Sequence, residues 1–176
     1  MEVAKKVIIL SGLAGFVIAG AAALISAQII EDTSTPQFCS SCHEMKPMYE
    51  TWLKGPHGPL GNKRGAVRAT CVDCHLPHDN VISYLIAKAS SGTKDFLGHI
   101  LNGGYADNPK YWLEKLDESK NYVYVENCKH CHQVLPNNES HKKIKMGKVS
   151  DNCLRCHWYV GHGEELEVKI KELSEK

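Results

Sequence analysis

The chain has 176 residues, 43% of them hydrophobic, and sets 21 Lys and Arg against 20 Asp and Glu for a formal net charge of +1 at pH 7. That balance offers no basic face and argues against a nucleic-acid partner. Eight cysteines call for a disulfide framework, a metal site or a covalently held cofactor, and their spacing decides which.

The first element in chain order is apolar. Val7 to Ile30 is a run of 24 residues without a charge. As a helix rising about 1.5 Å per residue it reaches about 36 Å, enough to cross a hydrocarbon core of about 30 Å with some tilt. A secretory signal has an apolar stretch of only about 7–15 residues and a small-residue cleavage site. Ile25-Ser26-Ala27 makes a poor one, because Ile25 is large. We therefore expect an uncleaved anchor over residues 1–30, with the transmembrane helix at about 7–30, and a second domain over 31–176. Lys5 and Lys6 precede the run while Glu31 and Asp32 follow it, which predicts a cytoplasmic N-terminus and a periplasmic domain on a bacterial inner membrane. Gly15, Ala19 and Ala23 recur at four-residue spacing. Such a stripe lets a second helix approach, so a homo-oligomer is compatible with it.

Beyond the anchor the cysteines form four Cys-x-x-Cys-His units: Cys39, Cys42 and His43; Cys71, Cys74 and His75; Cys128, Cys131 and His132; Cys153, Cys156 and His157. This is the c-type haem attachment pattern. Two thiols must reach two vinyl groups of one porphyrin while the adjacent imidazole reaches its iron. Zinc sites and redox disulfides also use Cys-x-x-Cys. Neither requires a histidine after every second cysteine, and here it stands there four times in four. The expected cofactors are four covalently bound haem c groups. About 145 residues cannot bury four porphyrins under an ordinary core, so the porphyrins must be much of the core. The expected fold is mainly α with much irregular structure: one N-terminal transmembrane helix and a haem-dominated tetrahaem domain.

The widest interval lies between Cys74 and Cys128. Within it Ile82, Leu85, Ile86, Ala89, Phe96 and Ile100 recur at helical spacing and predict a helix from about Val81 to Leu101. Lys88, Asp95 and His99 share another face of that helix. Gly92 lies between them, where a missing side chain would admit a flat molecule. Gly103-Gly104 should end the helix, and Asn108-Pro109 should start another running to about Lys120, with Tyr111, Trp112, Leu116 and Tyr122 as packing residues. From about Glu164 the chain reads as an amphipathic helix, Leu166, Ile170 and Leu173 on one face.

Four six-coordinate irons need eight axial ligands. The motif histidines supply four, and the remaining candidates are Met45, His57, His78, His99, His130, His141 and His162. His130 lies inside its own motif and His78 is close to His75, so His57, His99 and His162 are preferred, with His141 in reserve. Met45 stands two residues past the first motif only. A thioether ligand raises a haem potential relative to bis-histidine coordination, which suits the point of electron entry.

On these residues the chain resembles the NapC/NirT/NrfH family of membrane-anchored tetrahaem quinol dehydrogenases. Gly65-Ala66-Val67-Arg68-Ala69-Thr70 leading into Cys71-Val72-Asp73-Cys74-His75-Leu76-Pro77 is similar to the NapC/NirT branch. The resemblance implies oxidation of membrane quinol, commonly menaquinol, and delivery of electrons to a periplasmic reductase of nitrate, nitrite or hydroxylamine type. It implies that Lys88 and Asp95 form the quinol site by the first haem and that Met45 or His43 bonds its iron. It further implies His57 as distal ligand to the fourth haem, His162 to the third and His99 to the second. The competing expectations are an anchored carrier with no quinol site and a terminal reductase of a small nitrogen or sulfur compound.

Overall fold

A computed structural model describes residues 1–102, 110–111, 114, 119–163, 166, 168, 172 and 175. Among them there is no strand. Helix α1 spans Glu2–Asp32, longer at both ends than the expected run. It is the one described helix long and apolar enough to cross a membrane, and the rest of the chain buries none of it. Hydroxyls close its C-terminal turn, where carbonyls lack helical partners. Thr33 Oγ1 donates to Ile29 O at 2.6 Å and Ser34 Oγ to Ile30 O at 2.5 Å.

Thr35 then caps α2 (Pro36–Cys39), accepting from the Phe38 N–H at 3.2 Å with Pro36 in the first turn, the position where proline costs no hydrogen bond. A 3₁₀ turn over His43–Met45 leads into α3 (Lys46–Lys54). Next come α4 (Cys71–His75) and α5 (Val81–Asn102), the latter one residue from its expected end. After a 3₁₀ turn at Ser119–Tyr122 follow α6 (Val125–Cys131), α7 (Glu139–Lys145) and a 3₁₀ turn at Cys153–Arg155. The Gly103-Gly104 stop, Trp112 and Leu116 lie outside the described residues. So does most of the helix expected over Pro109 to Lys120, although Lys110, Tyr111 and Glu114 are helical. The amphipathic C-terminal helix likewise falls mostly outside them, its described members Leu166, Val168 and Glu172 being helical.

The apolar core of the described residues is small. Trp52, Leu76 and Leu154 are the buried large hydrophobic side chains. Each contributes about 1.5–3 kcal/mol, little against an ordering cost of about 1–2 kcal/mol per residue. Directed polar contacts therefore position the segments. The Trp52 indole N–H donates to Ala69 O at 2.9 Å and the Arg68 N–H to His57 O at 2.8 Å, so residues 55–70 fold back over α3. α6 is joined to α4 by the Tyr124 N–H on Cys74 O at 3.0 Å and by Asn127 Nδ2 on Asp73 O and Leu76 O at 2.9 and 2.6 Å.

The turn after α3 is tight enough to require glycine. A methyl group on Gly58 would collide with the carbonyl oxygen of Trp52, whereas one on Gly92 would meet nothing within 4 Å. Gly58→Ala should therefore lower stability by about 2 kcal/mol or more, and Gly92→Ala should raise it by up to about 1 kcal/mol through helix propensity. Thermal unfolding of the haem-loaded protein, followed by far-UV circular dichroism, measures both.

Candidate functional site

A helical turn brings residues three apart to one side. Cys71 and Cys74 lie within α4 and Cys128 and Cys131 within α6. Cys39 ends α2 and Cys153 opens a 3₁₀ turn. No disulfide joins any of the eight cysteines. Caps fix two of these turns: the Asp73 carboxylate accepts from Thr70 N–H and Oγ1 at 2.7 Å each, and Asn152 Oδ1 accepts from Leu154 N–H at 3.0 Å. The motifs also adjoin one another in chain order. Cys39 lies within electrostatic reach of Cys71, Cys74 of Cys131 and Cys128, and Cys128 of Cys153.

The histidines fit iron. Two imidazoles bound through Nε2 on opposite sides of one metal, with metal–nitrogen bonds of about 2 Å, have ring centroids about 6.3 Å apart. His57 and His132 stand 6.2 Å apart, His75 and His162 6.3 Å, and His141 and His157 6.2 Å. Backbone carbonyls aim four of these rings. His57 Nδ1 donates to Val160 O at 3.0 Å, His75 to Tyr122 O at 2.8 Å, His162 to Met48 O at 2.8 Å and His141 to Pro136 O at 3.2 Å. A carbonyl only accepts, so Nδ1 carries the hydrogen and Nε2 keeps the lone pair a metal needs. Burial, with a smaller contribution from His75, pushes His162 down from 6.5 to about 4 and keeps it neutral.

These pairs differ from those the resemblance implies. His57 faces the third motif's His132 instead of the fourth motif, because the turn after α3 carries it to Val160 O. His162 faces the second motif's His75 instead of the third, because α3 receives it at Met48 O and Thr51. His99 lies beside His43 of the first motif, ring centroids 5.4 Å apart, and not beside His75. His141, held in reserve on sequence, faces His157. It rides on α7, whose first turn Asn138 caps by accepting the His141 N–H at 2.9 Å and after which Gly147 turns with φ +67°. Asn138 and Gly147 are the boundary signals that could have revealed this helix. His78 Nε2 is bonded to Val72 O at 3.2 Å.

α5 brings Lys88, Asp95 and His99 to the first motif. Lys88 Nζ donates to Ser34 Oγ at 2.6 Å and Ile30 O at 3.3 Å, beside the Tyr84 ring at 5.9 Å. An ammonium at a helix C-terminus is favourably placed. Tyr84 OH is 2.9 Å from the same Ser34 hydroxyl. Both Lys88 and Asp95 act electrostatically on Cys39, whose thiol is lowered to about 7 chiefly by the neighbouring Cys71 thiol. Desolvation lowers Lys88, partly opposed by Cys39. Protein atoms around the carboxyl raise Asp95, partly opposed by His75, although the residue as a whole is exposed. Met45 is half-buried at the end of its 3₁₀ turn.

The profile described as NapC/NirT cytochrome c family, N-terminal region, matches residues 1–167. The chain is 32% identical over 179 residues to the tetraheme c-type cytochrome CymA of Shewanella oneidensis, covering 90% of this chain and 92% of that protein. It is 32% identical over 139 residues to the cytochrome c-type protein NrfH of Wolinella succinogenes, covering 75% and 71%. A crystal structure of the cytochrome c nitrite reductase NrfHA complex bound to the HQNO inhibitor contains a chain that superposes with a TM-score of 0.56 at 26% identity, covering 86% of this chain and 89% of that one.

Asn138→Ala should cost about 1 kcal/mol through the lost cap. Amide hydrogen exchange over residues 139–145, faster in the variant than in the wild type, is the measurement.

Proposed function

Since the chain belongs to the NapC/NirT cytochrome c family, we propose that it is a membrane-anchored four-haem cytochrome that oxidises quinol, menaquinol first, and delivers the electrons to a periplasmic reductase. The observation that carries this reading is that α5 holds Lys88 against the end of α1, its Nζ 2.6 Å from Ser34 Oγ and 3.3 Å from Ile30 O, with Asp95 on the same helix face and within electrostatic reach of Cys39. A quinol diffusing in the bilayer reaches such a place without leaving the apolar phase. α5 suits that surface, with Ile82, Ile86, Phe96 and Ile100 exposed on it.

Each cysteine pair holds one haem. The ring spacings favour His75 with His162, His132 with His57, and His157 with His141 as the pairs that would hold three of the irons, and Met45 or His43 would hold the first, as the resemblance implies. Bound haems supply the one-electron chemistry that divides a two-electron donor into single electrons. The polypeptide positions quinol and handles protons. Each quinol that becomes quinone releases two electrons and two protons. Lys88 and Asp95 hydrogen-bond the two hydroxyls, and each can take a proton: Lys88 because desolvation favours its neutral amine, Asp95 as a carboxylate whose raised pKa strengthens it as a base. Lys5 and Lys6 before the anchor, with Glu31 and Asp32 after it, favour the periplasmic orientation. A nitrite-type reductase is the first partner to test, because the similar solved structure is a nitrite reductase complex; nitrate and hydroxylamine types come next.

Lys88→Ala and Asp95→Asn should each slow reduction by a reduced menaquinone analogue about 10²-fold, the scale of one acid–base group, with dithionite reduction unchanged. Haem absorption of the detergent-solubilised protein reports both, and wild-type quinol rates in both variants would sink the site. The wild-type rate should rise with pH towards the lowered Lys88 pKa as the neutral amine becomes more populated. Lys88→Arg, always charged, should lose that rise. His57→Ala, His162→Ala and His141→Ala should each convert one low-spin haem to high spin by electron paramagnetic resonance, and His78→Ala should convert none.

A further inference from the structure

One hydroxyl at the junction of α1 and α5 has every hydrogen-bonding position in use. Ser34 Oγ donates its single hydrogen to Ile30 O at 2.5 Å, because a carbonyl only accepts. Lys88 Nζ donates to the same Oγ at 2.6 Å. Tyr84 OH lies 2.9 Å away, and with the serine hydrogen already committed the tyrosine is the donor. A hydroxyl has one hydrogen and two lone pairs, so Ser34 is saturated. Closing the end of α1 needs only the donated bond, as Thr33 Oγ1 shows at Ile29 O. Both lone pairs of Ser34 serve α5 instead.

The consequence falls on the amine. Lys88 Nζ has three positions besides its bond to Cε. Ser34 Oγ takes one, and Ile30 O at 3.3 Å takes a second. The hydroxyl makes the shorter contact, so it sets the direction more firmly than the carbonyl. Among the described residues no third acceptor is bonded to Nζ. The Tyr84 ring, 5.9 Å away, is at the outer limit of cation–π contact. In the neutral amine the two N–H groups occupy the two bonded positions, and the lone pair is left with the third.

We propose that Ser34 is a positioning residue of the quinol site, which turns the Lys88 amine so that its lone pair meets a quinol hydroxyl. The inference rests on the reading that Lys88 takes a quinol proton, and adds what aims it. In that step the quinol O–H bond breaks with its electron pair left on oxygen, and the nitrogen lone pair forms the new N–H bond. The ammonium keeps its bonds to Ser34 and Ile30 O, so neither acceptor has to move as the charge develops. Binding makes a weaker demand. An amine free to turn still meets a ligand oxygen with one of its N–H groups, whereas the lone pair is single. Loss of Ser34 therefore falls on proton removal more than on affinity.

The test uses the full-length, haem-loaded protein in detergent. Stopped-flow haem reduction by a reduced menaquinone analogue at varied concentration gives a limiting rate, and calorimetry gives the Kd of the oxidised analogue. Ser34→Ala should lower the limiting rate about tenfold, short of the about 10²-fold of removing an acid–base group outright. Its Kd should stay within about twofold of wild type, and dithionite reduction should be unchanged. Ser34→Thr keeps the hydroxyl and should hold the limiting rate within about threefold. Tyr84→Phe removes a bond between α5 and α1 but neither acceptor of the amine, and should cost no more than about twofold. Lys88→Ala at the wild-type rate sinks the quinol reading and this inference with it. A slow Lys88→Ala beside a Ser34→Ala of wild-type limiting rate overturns the role of Ser34 alone. Equal losses in Ser34→Ala and Tyr84→Phe, or a weakened Kd with the limiting rate intact, would make Ser34 a tie between two helices and no more. Either overturns the proposal, as does a Ser34→Thr variant as slow as Ser34→Ala.

Discussion

The hydrogen bonds that α5 makes to the end of α1, from Lys88 and Tyr84 together, are the constraint on which the arrangement depends. They fix α5 against the end of the apolar helix, with the ammonium at Ile30 O and Ser34, where the helix dipole is negative. Once that end is set, a straight helix carries Asp95 towards Cys39 and His99 to Glu44. The anchor, the first haem motif and the polar face of α5 thus become one unit. The proposed quinol site would draw on all three together, since a quinol's protons and electrons leave from the same ring.

Beyond the first motif, backbone carbonyls take over the aiming. Val160, Tyr122, Met48 and Pro136 each fix one imidazole through Nδ1. This is the outer-shell arrangement that orients metal-bound histidines and sets their tautomer. It makes the ligand geometry a property of irregular segments between short helices, and it explains how so little regular structure can hold several rings in place. The first motif instead adjoins a buried carboxylate, Glu44, whose Oε1 is hydrogen-bonded to His99 Nδ1 at 2.6 Å.

A small apolar core fits this economy. Trp52, Leu76 and Leu154 are buried, each at a crossing: Trp52 under the loop that carries His57, Leu76 where α4 meets Asn127, Leu154 inside the fourth motif. Between them the chain is shaped by caps and by glycines in close turns. Porphyrins bonded at eight cysteines would add large flat apolar surfaces between these points, consistent with motifs that adjoin in chain order.

The sequence by itself determined the features that depend on neighbours along the chain. These are the four Cys-x-x-Cys-His units, the apolar run of α1, the extent of α5 and the common face of Lys88, Asp95 and His99, because helical periodicity places residues a few positions apart without reference to the rest of the fold. Glu44 was not singled out, since a charged residue beside a motif histidine ordinarily belongs to solvent, and its burial depends on His99 arriving from α5. Nor did spacing assign His57, His141 and His162 to their partners. The groups that steer three of those four aimed rings are peptide carbonyls of Val160, Tyr122 and Met48, remote in the chain, and a carbonyl is the same whatever residue bears it. Only the tertiary structure decides which of them meets which imidazole.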